Sequence, residues 1–182
     1  EMLSSLQLSK NDFLELQKHC DKSKILFLLS PFDKESVDLL SEINVSALKI
    51  PSGELTNKPL LKYSAQLGVP MLVSTGMATL REVRTAVNAI KESSNSDIVL
   101  LHCVSNYPAA DNESNLKAID TLYKNFKVPV GFSDHSLGIN ISLAAVARGA
   151  CVIEKHITID KKLSGPDHCA SLNPKEFIDL VK

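Results

Sequence analysis

The chain has 182 residues, of which 44% are hydrophobic and 23% charged, and its formal net charge is -1. This composition is ordinary for a globular protein with one full core, and a net charge near zero argues against a nucleic-acid partner, which would favour a basic surface. No apolar run approaches the ~20 residues of a membrane-spanning helix and no signal-peptide pattern opens the chain, so we expect a cytoplasmic protein without a membrane partner.

Hydrophobic spacing and capping residues predict helices that alternate with short apolar strands. Ser9, with an acidic residue three positions later, starts a first helix over residues 10–20, and Thr79 starts another in the same way. Further helices are predicted after Asp33, over residues 57–67, near 115–123, and over 140–148 and 175–181. The predicted strands are residues 25–29, 47–50, 69–73, 98–103, 128–132 and 151–156.

These elements form six strand-then-helix units, with ~20 to 30 residues between successive strands, a spacing typical of parallel strands joined by crossover helices. A closed (β/α)8 TIM barrel needs eight strands. We therefore expect an α/β fold in which residues 1–182 form a partial TIM-barrel catalytic domain with strands three to eight, the first two strands being missing upstream. An open flavodoxin-like sheet is the structural alternative.

Ionisable and hydroxyl residues gather where the apolar runs stop. In a parallel sheet covered by helices the strand interiors are apolar, and the polar groups of the reaction site lie at the carboxyl ends of the strands. Alternate residues of a barrel strand face inward, so Lys49 is expected to point into the barrel mouth. An ammonium with several hydroxyl donors suits a phosphorylated or strongly anionic ligand. The residues expected to surround it are Lys49, Ser30, Ser52, Ser74, Ser105 and Ser133.

Two histidines, His135 and His156, follow neighbouring predicted strands at equivalent positions. Without a third protein ligand at fixed spacing they leave an ion site completed by water and substrate oxygens, which suits Lewis-acid catalysis on a carbonyl. Mixed imidazole and oxygen ligation permits Mn²⁺, Mg²⁺ or Zn²⁺. His19 and His102 have no second histidine at an equivalent strand end and are assigned structural roles. The role of His168 stays open.

The four cysteines show no Cys-x-x-Cys spacing. Cys103 and Cys151 lie inside predicted strands, which favours buried thiols in a reducing compartment over a disulfide framework.

Six short motifs, in this order, resemble those of the sialic acid synthase family, which comprises N-acetylneuraminate synthase and related nonulosonic acid synthases. They are Lys49-Ile-Pro-Ser-Gly-Glu54, Ser74-Thr-Gly-Met77, Leu101-His-Cys103 with Tyr107-Pro108, Gly131-Phe-Ser-Asp-His135, Glu154-Lys-His156 and Gly165-Pro-Asp-His168. The resemblance implies a TIM barrel and a transferase that condenses phosphoenolpyruvate with N-acetylmannosamine or a related 2-acetamido sugar. The products would be a nonulosonic acid and phosphate.

The resemblance also implies roles for individual residues. It makes His135 and His156 the ligands of Mn²⁺ or Mg²⁺, which activates the sugar aldehyde, and Glu54 the catalytic acid or base. Tyr107 and Asp167 become sugar contacts, and the lysine and serines of the anion site become phosphate contacts. Family members also carry a C-terminal antifreeze-like domain that reaches the partner's active site in a homodimer. That domain is absent here, so the isolated piece is expected to be inactive.

Two other functions remain open at this point. A metal-dependent aldolase that cleaves a sugar acid to pyruvate would use the same barrel without a phosphate site, and a non-catalytic barrel fragment would bind sugar without turnover. Release of phosphate from phosphoenolpyruvate and an amino sugar distinguishes them. The last motif leans, by resemblance, toward sialic or legionaminic rather than pseudaminic acid synthesis, and the sequence does not choose between the first two.

Overall fold

The protein is built around one curled parallel β-sheet. The computed structural model describes residues 7–182, so the first residues of the expected domain, 1–182, lie outside the described residues. The strands of the sheet are β1 Leu48–Ile50, β2 Met71–Ser74, β3 Ile98–Cys103, β4 Val130–Asp134 and β5 Ile153–Lys155. They are hydrogen-bonded in that sequential order, and every pairing is parallel. Sequential order is that of a barrel wall. The flavodoxin-like alternative is wrong, because its strand order reverses at a switch point.

Seven α-helices accompany the sheet in the described part of the chain, and none is long and apolar enough to cross a membrane. They are α1 Lys10–Ser23, α2 Lys34–Glu42, α3 Lys58–Ala65, α4 Leu80–Lys91, α5 Lys117–Phe126, α6 Asn140–Ala147 and α7 Pro174–Val181. The predicted capping boxes at Ser9 and Thr79 are both formed, and Asp33 caps α2 as predicted.

The hydrophobic core lies between the helices and the outer face of the sheet. Successive strand residues point to opposite faces, and one alternate set packs against the helices. The members of that set with the least exposure include Ile50, Val73, Leu100 and Phe132, each at most 2% exposed. The other set points to the inner face of the sheet, where polar side chains follow at the carboxyl ends. Strand alternation therefore separates the stabilising face from the functional one.

The prediction of a strand over residues 25–29 is wrong in extent. Only Leu29 pairs with the sheet, through an isolated parallel bridge to Leu48, and the side chains of Ile25 and Leu26 are 58% and 71% exposed. Within the described chain this segment has a strand neighbour on one side only. An apolar run indicates hydrophobicity but not whether a partner strand is present on each side.

The strand predicted over residues 151–156 is shorter than expected. Gly149, with φ of +101°, completes the turn after α6, and regular pairing begins only at Ile153. Cys151 precedes the strand and is exposed, so the expectation of a buried thiol is wrong for Cys151 and right for Cys103. All four cysteines are free thiols, as expected.

Candidate active site

A cavity of about 300 Å³ opens at the carboxyl ends of the strands. It is lined by side chains from all five strands, from the loops that follow them and from Ser30, which follows the bridge residue Leu29. The lining residues are Ser30, Lys49, Pro51, Ser52, Ser74, Cys103, Tyr107, Ser133, His135, Glu154 and His156. Eight of the eleven residues predicted from the sequence to form the site thus share one cavity.

Strand register explains why these side chains meet. β3 and β4 place Cys103 beside Ser133, and β4 and β5 place Ser133 beside Glu154. His135 and His156 each follow two residues later, so they point to the same face as Ser133 and Glu154. The centroids of the two imidazole rings lie 5.7 Å apart, with the rings nearly perpendicular at 88°. Residues from two separate strands are therefore close enough to share one ligand.

Lys49 supplies a positive charge to this cavity. Its Nζ lies 3.4 Å from Oε2 of Glu154, and its side chain is 16% exposed. Ser133 Oγ donates a hydrogen bond of 2.6 Å to the other carboxylate oxygen of Glu154. The contact between lysine and glutamate is longer than a good charge-assisted hydrogen bond of ~2.8 Å. The ammonium therefore keeps donors for an anionic ligand.

Ser74 presents a buried hydroxyl to the cavity. The residue is 2% exposed, and its Oγ has no hydrogen-bond partner among the described residues. The Cys103 thiol is its neighbour, but a thiol is only a weak hydrogen-bonding group. A buried hydroxyl without a partner costs free energy, about 1–3 kcal/mol. Such a group in a cavity wall is satisfied when a ligand with acceptor oxygens binds.

The His135 ring is held in one tautomer. Its Nδ1 lies 2.6 Å from the carbonyl oxygen of Val104, and because a carbonyl oxygen only accepts, Nδ1 carries the proton. Burial lowers the pKa of His135 by more than the hydrogen bond to Val104 raises it. The ring is therefore neutral near pH 7 and presents the lone pair of Nε2 to the cavity.

Tyr107 covers the two imidazoles from the solvent side. Its ring centroid lies 4.0 Å from that of His135 and 5.7 Å from that of His156, and the residue is 50% exposed. Partial burial raises the pKa of Tyr107, so its hydroxyl stays protonated and can donate to a substrate. Asp167 lies beside the same pair, with Oδ2 3.8 Å from Nδ1 of His156. That distance is too long for a hydrogen bond.

The two imidazoles suit an open site for a divalent ion. No group of three or more His, Cys, Asp or Glu side chains in residues 7–182 is arranged to hold an ion. The protein nitrogens would thus number two, with the remaining positions left to water and substrate oxygens. Orientation of His135 by a backbone carbonyl is the arrangement that metal-binding histidines commonly have. The residues present therefore fit the ion that the sequence predicts.

Three residues predicted to act in the site do not line the cavity. Glu54 lies on the short 3-10 helix Ser52–Glu54, and its carboxylate accepts a hydrogen bond of 2.8 Å from Nδ2 of Asn57. Ser105 is exposed, but its hydroxyl lies close to that of the lining residue Ser52, on either side of Gly76. A Cβ atom at Gly76 would lie 3.2 Å from Oγ of Ser105 and 2.8 Å from Oγ of Ser52. Asp167, with 45% of its side chain exposed, is at the margin.

Three lining residues, Pro51, Cys103 and Glu154, were not predicted to act in the site. Glu154 belongs to one of the six motifs but was not predicted to be the partner of Lys49, and Cys103 was predicted only to be a buried thiol. The Cys103 Sγ accepts a hydrogen bond of 3.2 Å from the backbone N–H of Gly76, and burial raises the pKa of this thiol. Strand alternation counted back from His156 would have selected Glu154.

The remaining three histidines do not line the cavity. His168 Nδ1 lies 2.8 Å from Oγ1 of the buried Thr158, which anchors the loop that carries Asp167. The His102 ring lies on the helix side of the sheet, with Nε2 2.9 Å from the carbonyl oxygen of Ser114. His19 lies exposed on α1. The two histidines assigned structural roles thus lie away from the cavity, and His168 holds the loop that carries Asp167.

A model of the NeuB family matches residues 1–182 of the chain. The chain belongs to the NeuB family. The chain is similar to the N,N'-diacetyllegionaminic acid synthase of Campylobacter jejuni, with 53% identity over 179 residues, which cover 97% of this chain and 54% of that protein. The enzyme of the same name from Legionella pneumophila is 50% identical over 186 residues, which cover 100% of this chain and 52% of that protein.

The chain is also similar in structure to a solved sialic acid synthetase. The N-acetylneuraminic acid (sialic acid) synthetase of Leptospira borgpetersenii, crystallised in complex with citrate, superposes with a TM-score of 0.92 at 43% identity. The match covers 96% of this chain and 61% of that one. The chain spans about half the length of the curated relatives it matches. These findings confirm the resemblance to the sialic acid synthases.

Proposed function

We propose that the protein containing this chain condenses phosphoenolpyruvate with N-acetylmannosamine or a related 2-acetamido sugar and water. The products are a nonulosonic acid and phosphate, which makes the protein a transferase. The observation that carries the proposal is one cavity that combines an ammonium, four serine hydroxyls and two imidazoles. The similarity to synthases of legionaminic and neuraminic acids supports it.

The phosphate group of phosphoenolpyruvate is proposed to bind between Lys49 and the serines that line the cavity, Ser30, Ser52, Ser74 and Ser133. The ammonium supplies charge, and the hydroxyls donate hydrogen bonds to the phosphate oxygens. Ser105, at the edge, is the sixth proposed contact.

The sugar is proposed to bind on the side of the cavity where Tyr107 and Asp167 flank the imidazoles. The protonated Tyr107 hydroxyl donates to a sugar oxygen, and the Asp167 carboxylate accepts from a sugar hydroxyl. His135 and His156 would hold Mn²⁺ or Mg²⁺ through one nitrogen each. When bound, such an ion supplies Lewis-acid polarisation of the sugar's aldehyde oxygen.

Glu54 is the proposed proton carrier. It lies on the same 3-10 helix as Ser52, and the hydrogen bond from Asn57 orients its carboxylate. Condensation forms a bond between the methylene carbon of the enol pyruvate and the aldehyde carbon, water adds to the carbon that bears phosphate, and phosphate leaves. A carboxylate near the reacting carbons takes one proton of the attacking water and passes it to the oxygen of the former aldehyde, which becomes a hydroxyl; the second proton goes to the phosphate as its bond to carbon breaks and the keto group forms.

The sheet is proposed to be one wall of an eight-stranded barrel, with residues 25–29 and β1 to β5 as strands three to eight. The inner apolar residues Leu72 and Val99 are only half-buried in the described chain, as expected if further strands cover them. Strands one and two, a C-terminal antifreeze-like domain and a second copy of the protein in a homodimer would complete the site. The isolated piece is therefore expected to be inactive.

The proposal is tested by a product assay on the complete protein. It is incubated with phosphoenolpyruvate and each of several 2-acetamido sugars, with and without a chelator, and both phosphate and the sugar acid are measured. Phosphate release that needs both substrates and is abolished by the chelator is expected. Pyruvate formation from a sugar acid without phosphate turnover would instead indicate the aldolase.

Ser74 gives a sharper test of the anion site, because a matched serine exists elsewhere in the chain. Ser64 in α3 is also buried, and its hydroxyl also lacks a hydrogen-bond partner, but it is not in the cavity. Replacing either serine with alanine removes an unsatisfied hydroxyl and should leave the free energy of unfolding unchanged or slightly higher. Only Ser74→Ala is expected to weaken phosphoenolpyruvate binding, by about tenfold for a charge-assisted hydrogen bond.

Isothermal titration calorimetry with phosphoenolpyruvate, and thermal unfolding of each variant, measure the two effects. Equal affinity of Ser74→Ala and the unmodified protein would remove Ser74 from the anion site. An equal loss in Ser64→Ala would show that the effect comes through the fold.

A further inference from the structure

A buried ion pair between Asp134 and Lys155 lies behind the cavity and outside the roles proposed so far. Their side chains are 0% and 1% exposed, and Oδ2 of Asp134 lies 2.9 Å from Nζ of Lys155. Both point to the helix side of the sheet, and β4 and β5 pair them directly in register. The pair therefore joins two neighbouring strands at the ends that lead into the two imidazoles.

Both charged groups also hold the backbone of one residue, Ser136. Asp134 Oδ1 accepts hydrogen bonds from the Ser136 backbone N–H at 2.8 Å and from its hydroxyl at 2.7 Å. Lys155 Nζ donates a hydrogen bond of 2.6 Å to the Ser136 carbonyl oxygen. Ser142 in α6 donates to Oδ2 of Asp134. Ser136 is thus fixed at both its amide and its carbonyl group.

His135 lies between the two residues that this network holds. Its own carbonyl accepts a hydrogen bond of 2.9 Å from the Ala109 N–H, so its backbone is restrained on both sides. His156 directly follows Lys155, whose side chain is tied to β4. The relative placement of the two rings therefore depends on an ion pair that contacts neither ring.

Stability alone does not account for this pair. Two opposite charges buried together often contribute no more than apolar side chains of the same volume, because each charge loses its hydration. Apolar residues would also fit the helix side of a barrel strand. What the pair supplies, and apolar residues would not, is a fixed direction across the two strands.

We propose that Asp134 and Lys155 form a brace that sets the distance and orientation of His135 and His156 toward a divalent ion. They act as positioning residues, because they touch neither substrate nor ion. This inference rests on the proposed function, in which the two rings hold that ion.

The test uses the complete protein with Asp134→Asn and Lys155→Met together, which removes both charges and leaves no buried charge uncompensated. Mn²⁺ affinity, measured by calorimetry, is expected to fall about 10- to 100-fold, the range found when groups that orient metal ligands are lost. Affinity for inorganic phosphate, which reports on the Lys49 region, is expected to stay the same. A structural role alone would not separate the two affinities.

A second ion pair in the chain provides the control. Asp120 in α5 and Arg148 after α6 are paired at the surface, with side chains 39% and 36% exposed. Asp120→Asn with Arg148→Met removes the same charges far from the rings and should leave Mn²⁺ affinity unchanged.

A readout that needs no ion is the tautomer of His135, followed by ¹⁵N NMR of the histidine rings. The unmodified protein should show the Nδ1–H form, and the double variant a mixture of forms. A folded double variant with unchanged Mn²⁺ affinity and unchanged ring shifts overturns the brace. Should the unmodified protein bind no Mn²⁺, the proposed ion site fails, and the ring shifts alone decide the brace.

Ser142→Ala covers the case in which the double variant does not fold. It removes one hydrogen bond to Asp134 and leaves the ion pair in place. We expect Mn²⁺ affinity to fall by about fivefold, the equivalent of one hydrogen bond. Unchanged Mn²⁺ affinity and unchanged His135 shifts in this variant would also overturn the brace.

Discussion

Replacing His135 or His156 with alanine is expected to lower kcat/KM for the condensation by about 10³-fold or more, because polarisation of the aldehyde oxygen contributes several kcal/mol. Each imidazole would supply one of two protein nitrogens to the ion. Loss of either ring should also reduce the amount of Mn²⁺ that the complete protein retains. Steady-state kinetics and the bound Mn²⁺, measured by electron paramagnetic resonance, check both effects.

His102 is the matched control for these two variants. Its ring is buried on the opposite face of the sheet and bonds the Ser114 carbonyl. His102→Leu should lower the free energy of unfolding by about 1–3 kcal/mol, because a buried acceptor loses its donor, and should leave Mn²⁺ retention unchanged. If His135→Ala and His156→Ala both keep their Mn²⁺ and their turnover, the ion site is elsewhere.

Local signals in the sequence predicted most of the elements. The capping boxes at Ser9 and Thr79 need only residues within one helical turn, so they could be identified without knowledge of the fold. The strand over residues 98–103 matched in both bounds, because it is apolar and follows a clear turn. The strand over residues 25–29 did not, since strand formation depends on partners that a local pattern does not specify.

The site was predictable to the extent that alternation along one strand determines it. Lys49 faces the cavity because its neighbours Leu48 and Ile50 are both 0% exposed on the helix side. The same rule places His135 with Ser133. It could not show that Glu154 pairs with Lys49, because these residues lie on β5 and β1, at opposite edges of the described sheet. That contact depends on the curvature of the whole sheet.

The pairing of Asp134 with Lys155 could not be predicted either, because it also depends on a contact between two strands. Asp134 and Lys155 each stand beside a histidine in a polar run, and composition alone groups them with the cavity residues. Because side chains alternate along each strand, both of these side chains point away from the cavity. Only the register between β4 and β5 brings them together. Polar strand ends therefore contain two classes of residue, one that faces the ligand and one that fixes the strands.

Lys49→Met is expected to weaken phosphoenolpyruvate binding by about 10²-fold or more. The substitution keeps the length of the side chain and removes the charge that faces the phosphate, and the loss of a charge-assisted hydrogen bond to the ligand costs about 1.5–3 kcal/mol. Part of this loss would arise from Glu154, whose carboxylate would then face the phosphate without a compensating cation. Calorimetric titration of the complete protein with phosphoenolpyruvate measures the affinity.

Lys62 is the matched control lysine. It also pairs with a glutamate, Glu92, at 2.9 Å, but both side chains are about half exposed or more. A surface pair of this kind contributes about 1 kcal/mol or less to stability. Lys62→Met should therefore leave phosphoenolpyruvate affinity unchanged.

The contribution of Glu154 can be separated by a double-mutant cycle with Lys49. If Lys49 binds phosphate directly and Glu154 only balances its charge, Glu154→Gln in the Lys49→Met background removes a repulsion, and phosphoenolpyruvate affinity should partly recover. Glu154→Gln alone should leave affinity unchanged or raise it, because the ammonium loses a competing carboxylate. Independent, additive losses in the two single variants would instead mean that Glu154 binds the substrate itself. Binding rather than turnover is the quantity to compare, since it separates the charge balance around the phosphate from any role of Glu154 in catalysis.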